Sequence, residues 1–322
     1  MAGGVMRIFM RTILLIAAVL FCLPRLSWAS SPAMALEAEG DRALDPNEQL
    51  SCYSRALAAW SSENDDEDKS QLYLRIGYAY VALENYPKAL ENIDYAASLD
   101  AENFSVHNGR GLVLAGMNRC REAISEYGLA LGLAPASMQP TLLKERGQAY
   151  ADCLKDNAAA LKDFGAAIAG AYKLEDKDLL AFALIDEGKV LCREKKFTKA
   201  FESISQGISF KPADANLYYE AGICREIKKD WRLARDNYAK SIKLAGPDTE
   251  KFENQAVGEK KAGAITQTAH GSKKKRADCY FRLGLMNEKL HNTQAAKEDY
   301  QEACSYNLKA ACRALKRPEG EE

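Results

Sequence analysis

Histidine is scarce in this chain, three residues in 322. His107, His270 and His291 stand far apart, and no His-x-x-x-His or Cys-x-x-Cys pair occurs. The sequence therefore offers no ligand set with zinc-type spacing. Strand-like alternation is missing, and so is a glycine-rich loop of the kind that cradles phosphate between a strand and a helix. No nucleophile–base pattern stands out, and the carboxylates lie on solvated helix faces, so the chain reads as non-enzymatic and cofactor-free. A basic excess is also lacking. The formal net charge is −1, which argues against general nucleic-acid binding. Long apolar runs are absent too. The longest, residues 13–23, has 11 residues, short of the roughly 20 that span a bilayer.

What the chain does have is a recurring pair of small residues. Gly77, Gly111, Gly147, Gly188, Gly222 and Gly284 are followed by Ala89, Ala123, Ala160, Ala200, Ala234 and Ala296. The separation is 12 residues in five pairs and 13 in the third. The first two glycines are 34 residues apart, as are the fourth and fifth. Four residues after each alanine comes a large side chain: Ile93, Tyr127, Phe164, Ile204, Tyr238 or Tyr300. Seven after it comes Ala96, Ala130, Ala167, Gly207, Ser241 or Ala303. Offsets 0, 4 and 7 share one helical face. Each unit thus predicts two helices, A and B, with the glycine of A as the contact point for B. Pro87 is placed to open a helix B, while Pro135, Pro212 and Pro247 follow one, where proline cannot continue a helix. Lys195-Lys196-Phe197 and Lys229-Asp230-Trp231 occupy A–B turns, their rings capping the inter-helix groove. A unit of this size cannot bury its apolar face alone, so stacking is required.

The stretch Tyr73-Leu74-Arg75-Ile76-Gly77-Tyr78-Ala79-Tyr80 with Ala89 and Ala96, and Arg121-Glu122-Ala123-Ile124 through Tyr127, Ala130 and Pro135, closely resemble the tetratricopeptide repeat. The resemblance covers roughly residues 70–310 and implies an all-α, right-handed α-solenoid. The expected organisation is a degenerate first repeat (Gly40; Tyr53 to Leu57) and acidic linker over 30–69, five units over 70–248, an insertion over 249–276, a sixth unit with a capping helix over 277–312, and a disordered tail over 313–322. Arg225 and Asn287 depart from the pattern, standing where an aromatic is usual late in helix A.

The first 29 residues read as a secretory signal. Arg7 and Arg11 precede the apolar stretch, and Ser27-Trp28-Ala29 supplies small residues before the cut. The alternative is an uncleaved N-terminal membrane anchor. Cleavage near Ala29 removes three arginines and no acids, leaving a net charge of −4. It places the mature chain in a periplasm or outside the cell. Eight of nine cysteines remain, an even number compatible with disulfides. Cys120 and Cys153 lie on the A–B turn side of adjacent units. Cys192 and Cys224 lie on adjacent helices A and need favourable side-chain directions to meet. Burial as small hydrophobes is the competing reading of both pairs. Cys304 and Cys312 have a spacing that resembles the bridges of Sel1-like repeats. Cys52 and Cys279 have no evident partner.

The polar insertion 249–276 reads as flexible. It ends in Lys273, Lys274, Lys275 and Arg276, either a solvated run or a weak contact with an anionic surface. Residues 63–68 read as a solvated acidic linker. The resemblance implies that helices A line a concave wall. The helical period then brings forward Leu74, Tyr78, Asn108, Leu112, Lys144, Gln148, Ile185, Lys189, Tyr219, Ile223, Phe281 and Leu285. The expected partner is a protein or peptide segment with apolar anchors. Tyr219 and Phe281 can alternatively pack on a neighbouring helix. The function expected is an exported scaffold. The alternatives are a structural subunit of an envelope assembly or export machine acting by oligomerisation, and an accessory to an envelope enzyme.

Overall fold

In all six units helix A stops in the same way. A residue just past it enters the left-handed region: Glu84, Asn118, Lys155, Lys195, Lys229 and His291, with φ between 57° and 65°. The next N–H then turns back to a carbonyl in the last turn of helix A. Asn85 donates to Tyr80 at 2.9 Å, Lys196 to Leu191 at 2.9 Å and Asp230 to Arg225 at 2.9 Å. This bond satisfies a terminal carbonyl and reverses the chain. Helix B then begins, in places with a side-chain cap, as where Asp156 accepts from the Ala159 N–H at 3.0 Å.

The computed structural model describes residues 32–60, 66–246 and 269–317, with side chains of the last segment from 274 onward. The described residues form fifteen α-helices. In chain order they are α1 Pro32–Gly40, α2 Pro46–Ala59, α3 Asp66–Ala82, α4 Tyr86–Leu99, α5 Phe104–Gly116, α6 Cys120–Leu133, α7 Gln139–Gln148, α8 Asn157–Leu174, α9 Lys177–Arg193, α10 Phe197–Phe210, α11 Ala215–Ile227, α12 Trp231–Ala245, α13 Ala269–Lys289, α14 Thr293–Ser305 and α15 Lys309–Ala314. A π turn, Ala149–Leu154, extends α7. Helices α3/α4 to α13/α14 are the six A/B pairs, α1/α2 are a further pair before them, and α15 packs on α14.

The small–large–small pattern explains the packing. Ala89, Ala123, Ala160, Ala200, Ala234 and Ala296 are buried, and so are all six large residues four positions on. A Cβ on Gly222 would stand 2.5 Å from the Tyr238 ring, and one on Gly77 would stand 2.6 Å from Ile93. At distances this short any added side chain forces the facing side chain to shift. The same close approach recurs at Gly40, where a Cβ would meet Tyr53 at 2.5 Å.

Unit 3 accommodates its extra residue locally. Between Gly147 and Ala160 the helix widens into the π turn, and the chain-reversing bond spans one residue more, from Asp156 back to Tyr150. A single-residue insertion in a helix is commonly absorbed this way. Two contacts hold the turn. Cys153 is disulfide-bonded to Cys120 of α6. Arg193 of α9 pairs with Asp152 at 2.8 Å and reaches the Ala151 carbonyl at 3.4 Å.

Three disulfides are present among the described residues. Cys120–Cys153 joins units 2 and 3, Cys192–Cys224 joins α9 to α11, and Cys304–Cys312 ties α14 to α15. The Cα separation of the second is 5.7 Å, so adjacent helices A do approach closely enough. Cys52 and Cys279 are buried free thiols, and burial pushes the Cys279 thiol up to about 12. The departures at Arg225 and Asn287 are filled by other means. The Arg225 guanidinium lies 3.6 Å from the Phe201 ring centre. Asn287 is buried and donates to Asp299 at 2.7 Å.

Three expected boundaries shift. Asp66, Glu67 and Asp68 are not linker but the first turn of α3, where acids complement the helix dipole. Residues 269–276 are not loop but the first two turns of α13, which starts eight residues further ahead of its glycine than α11 does. Residues 313–317 are placed, since Arg313 and Ala314 belong to α15 and the Lys316 and Arg317 N–H groups bond back to them. The expected signal segment, residues 249–268 of the insertion and residues 318–322 lie outside the described residues. Among the described residues, no helix is long and apolar enough to cross a membrane.

Candidate interaction groove

Each helix A packs on its own helix B, and neighbouring helices A touch where α3 meets α5, α7 meets α9 and α9 meets α11. The helices A therefore form one continuous wall. Side chains cross between them along its length. Tyr78 reaches the Ser105 carbonyl at 3.5 Å, Gln148 donates to Asp186 at 2.7 Å, and Arg282 pairs with Glu226 at 2.8 Å.

The twelve wall positions fall into two groups. Leu74, Asn108 and Ile185 are buried. They correct the expectation of a row open to a partner, because the next helix A lies close enough to cover them. Tyr78, Leu112, Lys144, Gln148, Lys189, Tyr219, Ile223, Phe281 and Leu285 are half-buried. Several of these already have partners. The Tyr219 hydroxyl donates to Asp278, and its ring stands 5.9 Å from that of Tyr238. Phe281 lies 5.7 Å from the Tyr300 ring, and Ile223 and Leu285 pack around Tyr238. Lys189 sits 3.4 Å from Asp186, whose charge helps raise its pKa against the effect of burial.

The basic end of the insertion is also corrected. Only Lys274 of the three described residues is exposed. The Lys275 ammonium lies 4.9 Å from the Tyr219 ring centre, and burial pulls its pKa down. Arg276 is buried and donates to the Gly246 carbonyl at the end of α12. Extending α13 by two turns swings these side chains onto the wall and onto the end of α12. They do not form a basic patch facing an anionic surface.

Sequence reasoning missed two polar groupings because they assemble from residues 30 to 60 positions apart. In the C-terminal half, Arg282 pairs with Asp278 at 2.7 Å and with Glu226, while the Tyr238 hydroxyl donates to Glu226 at 2.6 Å. Burial works against the Arg282 charge, and the Asp278 carboxylate outweighs it, raising the pKa. In the N-terminal half, Tyr78 on α3, Asn108 on α5 and Glu145 on α7 stand on successive helices A; the Asn108 side-chain oxygen is buried without a hydrogen-bond partner, and burial raises the Glu145 carboxyl. No group of three His, Cys, Asp or Glu side chains among the described residues gathers as metal ligands would. His107 is engaged by Glu126 at 2.7 Å and by the Ala101 carbonyl at 3.0 Å.

No family model matches the chain. A curated relative, the mitochondrial import receptor subunit TOM34 of Rattus norvegicus, is 24% identical over 229 residues, which is 66% of this chain and 71% of that protein. PilF of Pseudomonas aeruginosa shares 13% identity at a TM-score of 0.53, over 79% of this chain and 99% of that one. PilW, a type IV pilus biogenesis factor, shares 15% at 0.58, over 80% and 100%. Cut9, from the APC/C Cut9–Hcn1 assembly, shares 15% at 0.59, over 89% and 48%. Helix pairs, spacing and neighbours agree on an all-α solenoid. The chain has the fold of the tetratricopeptide-repeat solenoids.

Proposed function

We propose that this chain is an exported, non-enzymatic scaffold that holds a segment of a partner protein along its concave wall. The observation that carries the reading is the continuity of that wall. Side-chain bonds run directly from one helix A to the next, as from Gln148 to Asp186, from Arg193 to Asp152 and from Arg282 to Glu226. A wall locked in this way is preorganised and loses little entropy when a partner docks. Half-buried Leu112, Ile223 and Leu285 supply apolar contact area, and the polar groups between them supply direction. Export is supported by three disulfides, which persist in oxidising compartments, together with the N-terminal sequence.

Leu112→Lys/Leu285→Lys alters the wall, and Leu129→Lys alters the outer face as a control. Capture from an envelope extract of the native source should lose a wild-type partner with the first variant and keep it with the second, all three proteins having matched melting curves. Loss with the outer-face variant alone would overturn the groove reading. Export is tested by alkylating the protein as isolated. Six of its eight mature cysteines should resist modification until reduced.

A second reading, a subunit acting by oligomerisation, is favoured by one observation. Tyr95 and Leu129 each follow a repeat alanine by six residues, on α4 and α6, and are 54% and 50% exposed, with Leu133 beside them. PilW, which shares the fold, is a type IV pilus biogenesis factor. Light scattering showing only monomer across concentration would remove this reading.

A further inference from the structure

The edge of the solenoid where helix A turns into helix B changes character along the chain. From the last residue of helix A to the third of helix B, units 4 and 5 (residues 193–199 and 227–233) carry seven cations and two acids. The same stretches of units 1 to 3 (82–88, 116–122 and 154–159) carry four and three. The two basic turns stand side by side. The Cys192–Cys224 disulfide holds α9 and α11 with Cα atoms 5.7 Å apart, within one turn of both helix ends. Across that junction the Arg225 guanidinium and the Lys228 ammonium of unit 5 lie 3.6 Å and 5.2 Å from the ring centre of Phe201 in unit 4.

Most of this charge has no use inside the protein. Both acids are taken, Glu194 by Lys196 at 2.7 Å and Asp230 by Arg225 at 3.4 Å, and Arg193 is paired with Asp152. Lys195, Lys199, Lys228, Lys229 and Arg232 are exposed and form no ion pair among the described residues. Like charges crowded on one edge repel each other until something anionic meets them. Apolar side chains stand among them. Ile227, the last residue of α11, is 42% exposed, and Leu233, in the first turn of α12, is 41% exposed. They lie on either side of the turn that carries Lys228 and Lys229.

We infer that this edge docks on the surface of an anionic lipid bilayer. The inference goes beyond the groove reading, since it uses the turn edge and not the helix-A wall. Two contributions hold a protein at such an interface: lysine and arginine meet acidic headgroups, and aliphatic side chains between them enter the acyl boundary. Four of the five free cations are lysines, point charges on flexible stems that suit a diffuse anionic plane. A discrete carboxylate or phosphate site favours the fixed fork of arginine. A polar acidic segment of a protein would meet the lysines and leave Ile227 and Leu233 against charged neighbours.

The test uses the full chain without its N-terminal signal segment, disulfides intact, sedimented with phosphatidylcholine vesicles that contain none or about 30 mol% phosphatidylglycerol. Binding should be at least about tenfold stronger to the anionic vesicles and vanish near roughly 0.5 M salt. Lys228→Glu/Lys229→Glu should weaken it at least about tenfold. Glu84 holds the left-handed position of Lys229 in unit 1, so the fold accepts that change. Lys88→Glu/Arg121→Glu, an equal charge reversal on the same edge of units 1 and 2, should weaken it less than about twofold, since charges at a distance are screened. Ile227→Ser/Leu233→Ser should weaken it about tenfold, through lost apolar contact. All variants should keep the wild-type melting curve. No binding at low salt, equal binding to neutral vesicles, or equal loss from the two charge reversals would overturn the inference. Binding that ignores Ile227→Ser/Leu233→Ser and is matched by a polyglutamate peptide would mark an acidic protein as the partner and overturn the bilayer. None of these outcomes bears on the groove.

Discussion

The two halves of the helix-A wall use the same repeat positions to different ends. Across units 5 and 6, Tyr219, Asp278, Arg282, Glu226 and Tyr238 form a closed network in which each charge meets its opposite. Across units 1 to 3, the Asn108 side-chain oxygen is buried without a partner, and the Glu145 carboxylate, raised by burial, forms no ion pair among the described residues. A polar group paired inside the protein holds helices together. The same kind of group left short of partners costs stability. The position of a residue on helix A does not separate these roles. What the next helix A brings opposite it does.

The disulfides sharpen that contrast most strongly. Cys192–Cys224 and Cys120–Cys153 close loops of nearly equal length, 32 and 33 residues apart. Chain entropy therefore gives each about 3–4 kcal/mol. Their surroundings differ, for Cys192 and Cys224 are buried while Cys120 and Cys153 are half-exposed. Graded reductant should open Cys120–Cys153 first, loosening the π turn, as read by mass-mapped alkylation and by hydrogen exchange of residues 149–154. Simultaneous opening would mean that units 4 and 5 breathe as freely as units 2 and 3.

The next largest effect is expected at Arg282. Arg282→Ala leaves Glu226 and Asp278 facing each other without a cation. Because these groups are about one-third exposed, solvent screens part of the loss. A cost of about 2–3 kcal/mol is expected, below the 3–5 kcal/mol of a fully buried pair. Glu145→Gln should cost nothing. Chemical denaturation followed by unit-resolved hydrogen exchange compares the two, and equal destabilisation would erase the distinction between the halves.

Steric fit should be indifferent to that distinction. Gly222→Ala and Gly77→Ala both press a methyl into a neighbour at about 2.5 Å. Overpacking costs about 1–3 kcal/mol, offset by roughly 1 kcal/mol of helix propensity. Net losses of about 0–2 kcal/mol are expected in both halves. A much smaller loss in unit 1 would indicate looser packing there.

The smallest effect is a pH response confined to the C-terminal end. Burial, opposed by the Asn287 hydrogen bond, raises Asp299 to about 6. The folded chain then holds this proton more tightly than the unfolded chain does. Its contribution is fully present below about pH 4 and is lost as pH rises through about 6. Asp299→Asn keeps the acceptor for Asn287 and should flatten the response of α13 and α14 across that window. An unchanged pH profile would mean that Asp299 ionises normally.

Much of this was legible in the residues because the contacts are local and repeated. Glycine, alanine and a large side chain at constant spacing announce two helices and their contact point. The extra residue between Gly147 and Ala160 was visible as a count, but its form as a π turn pinned by Cys153 and Arg193 was not. The basic run at 273–276 looked like loop because its local composition is polar. Only the long α13 puts Lys275 over Tyr219 and Arg276 beneath the end of α12. Asn108 read as a wall residue, and its burial depends on helices some thirty residues away on either side.

By itself, the sequence determined the fold class, the six units and their packing code, since helical periodicity and side-chain size act within a few turns of chain. Tertiary structure alone decided which wall positions remain open, which cysteines meet and which charges find partners. Those outcomes turn on a few ångströms between helices from different units, and no local pattern encodes that distance.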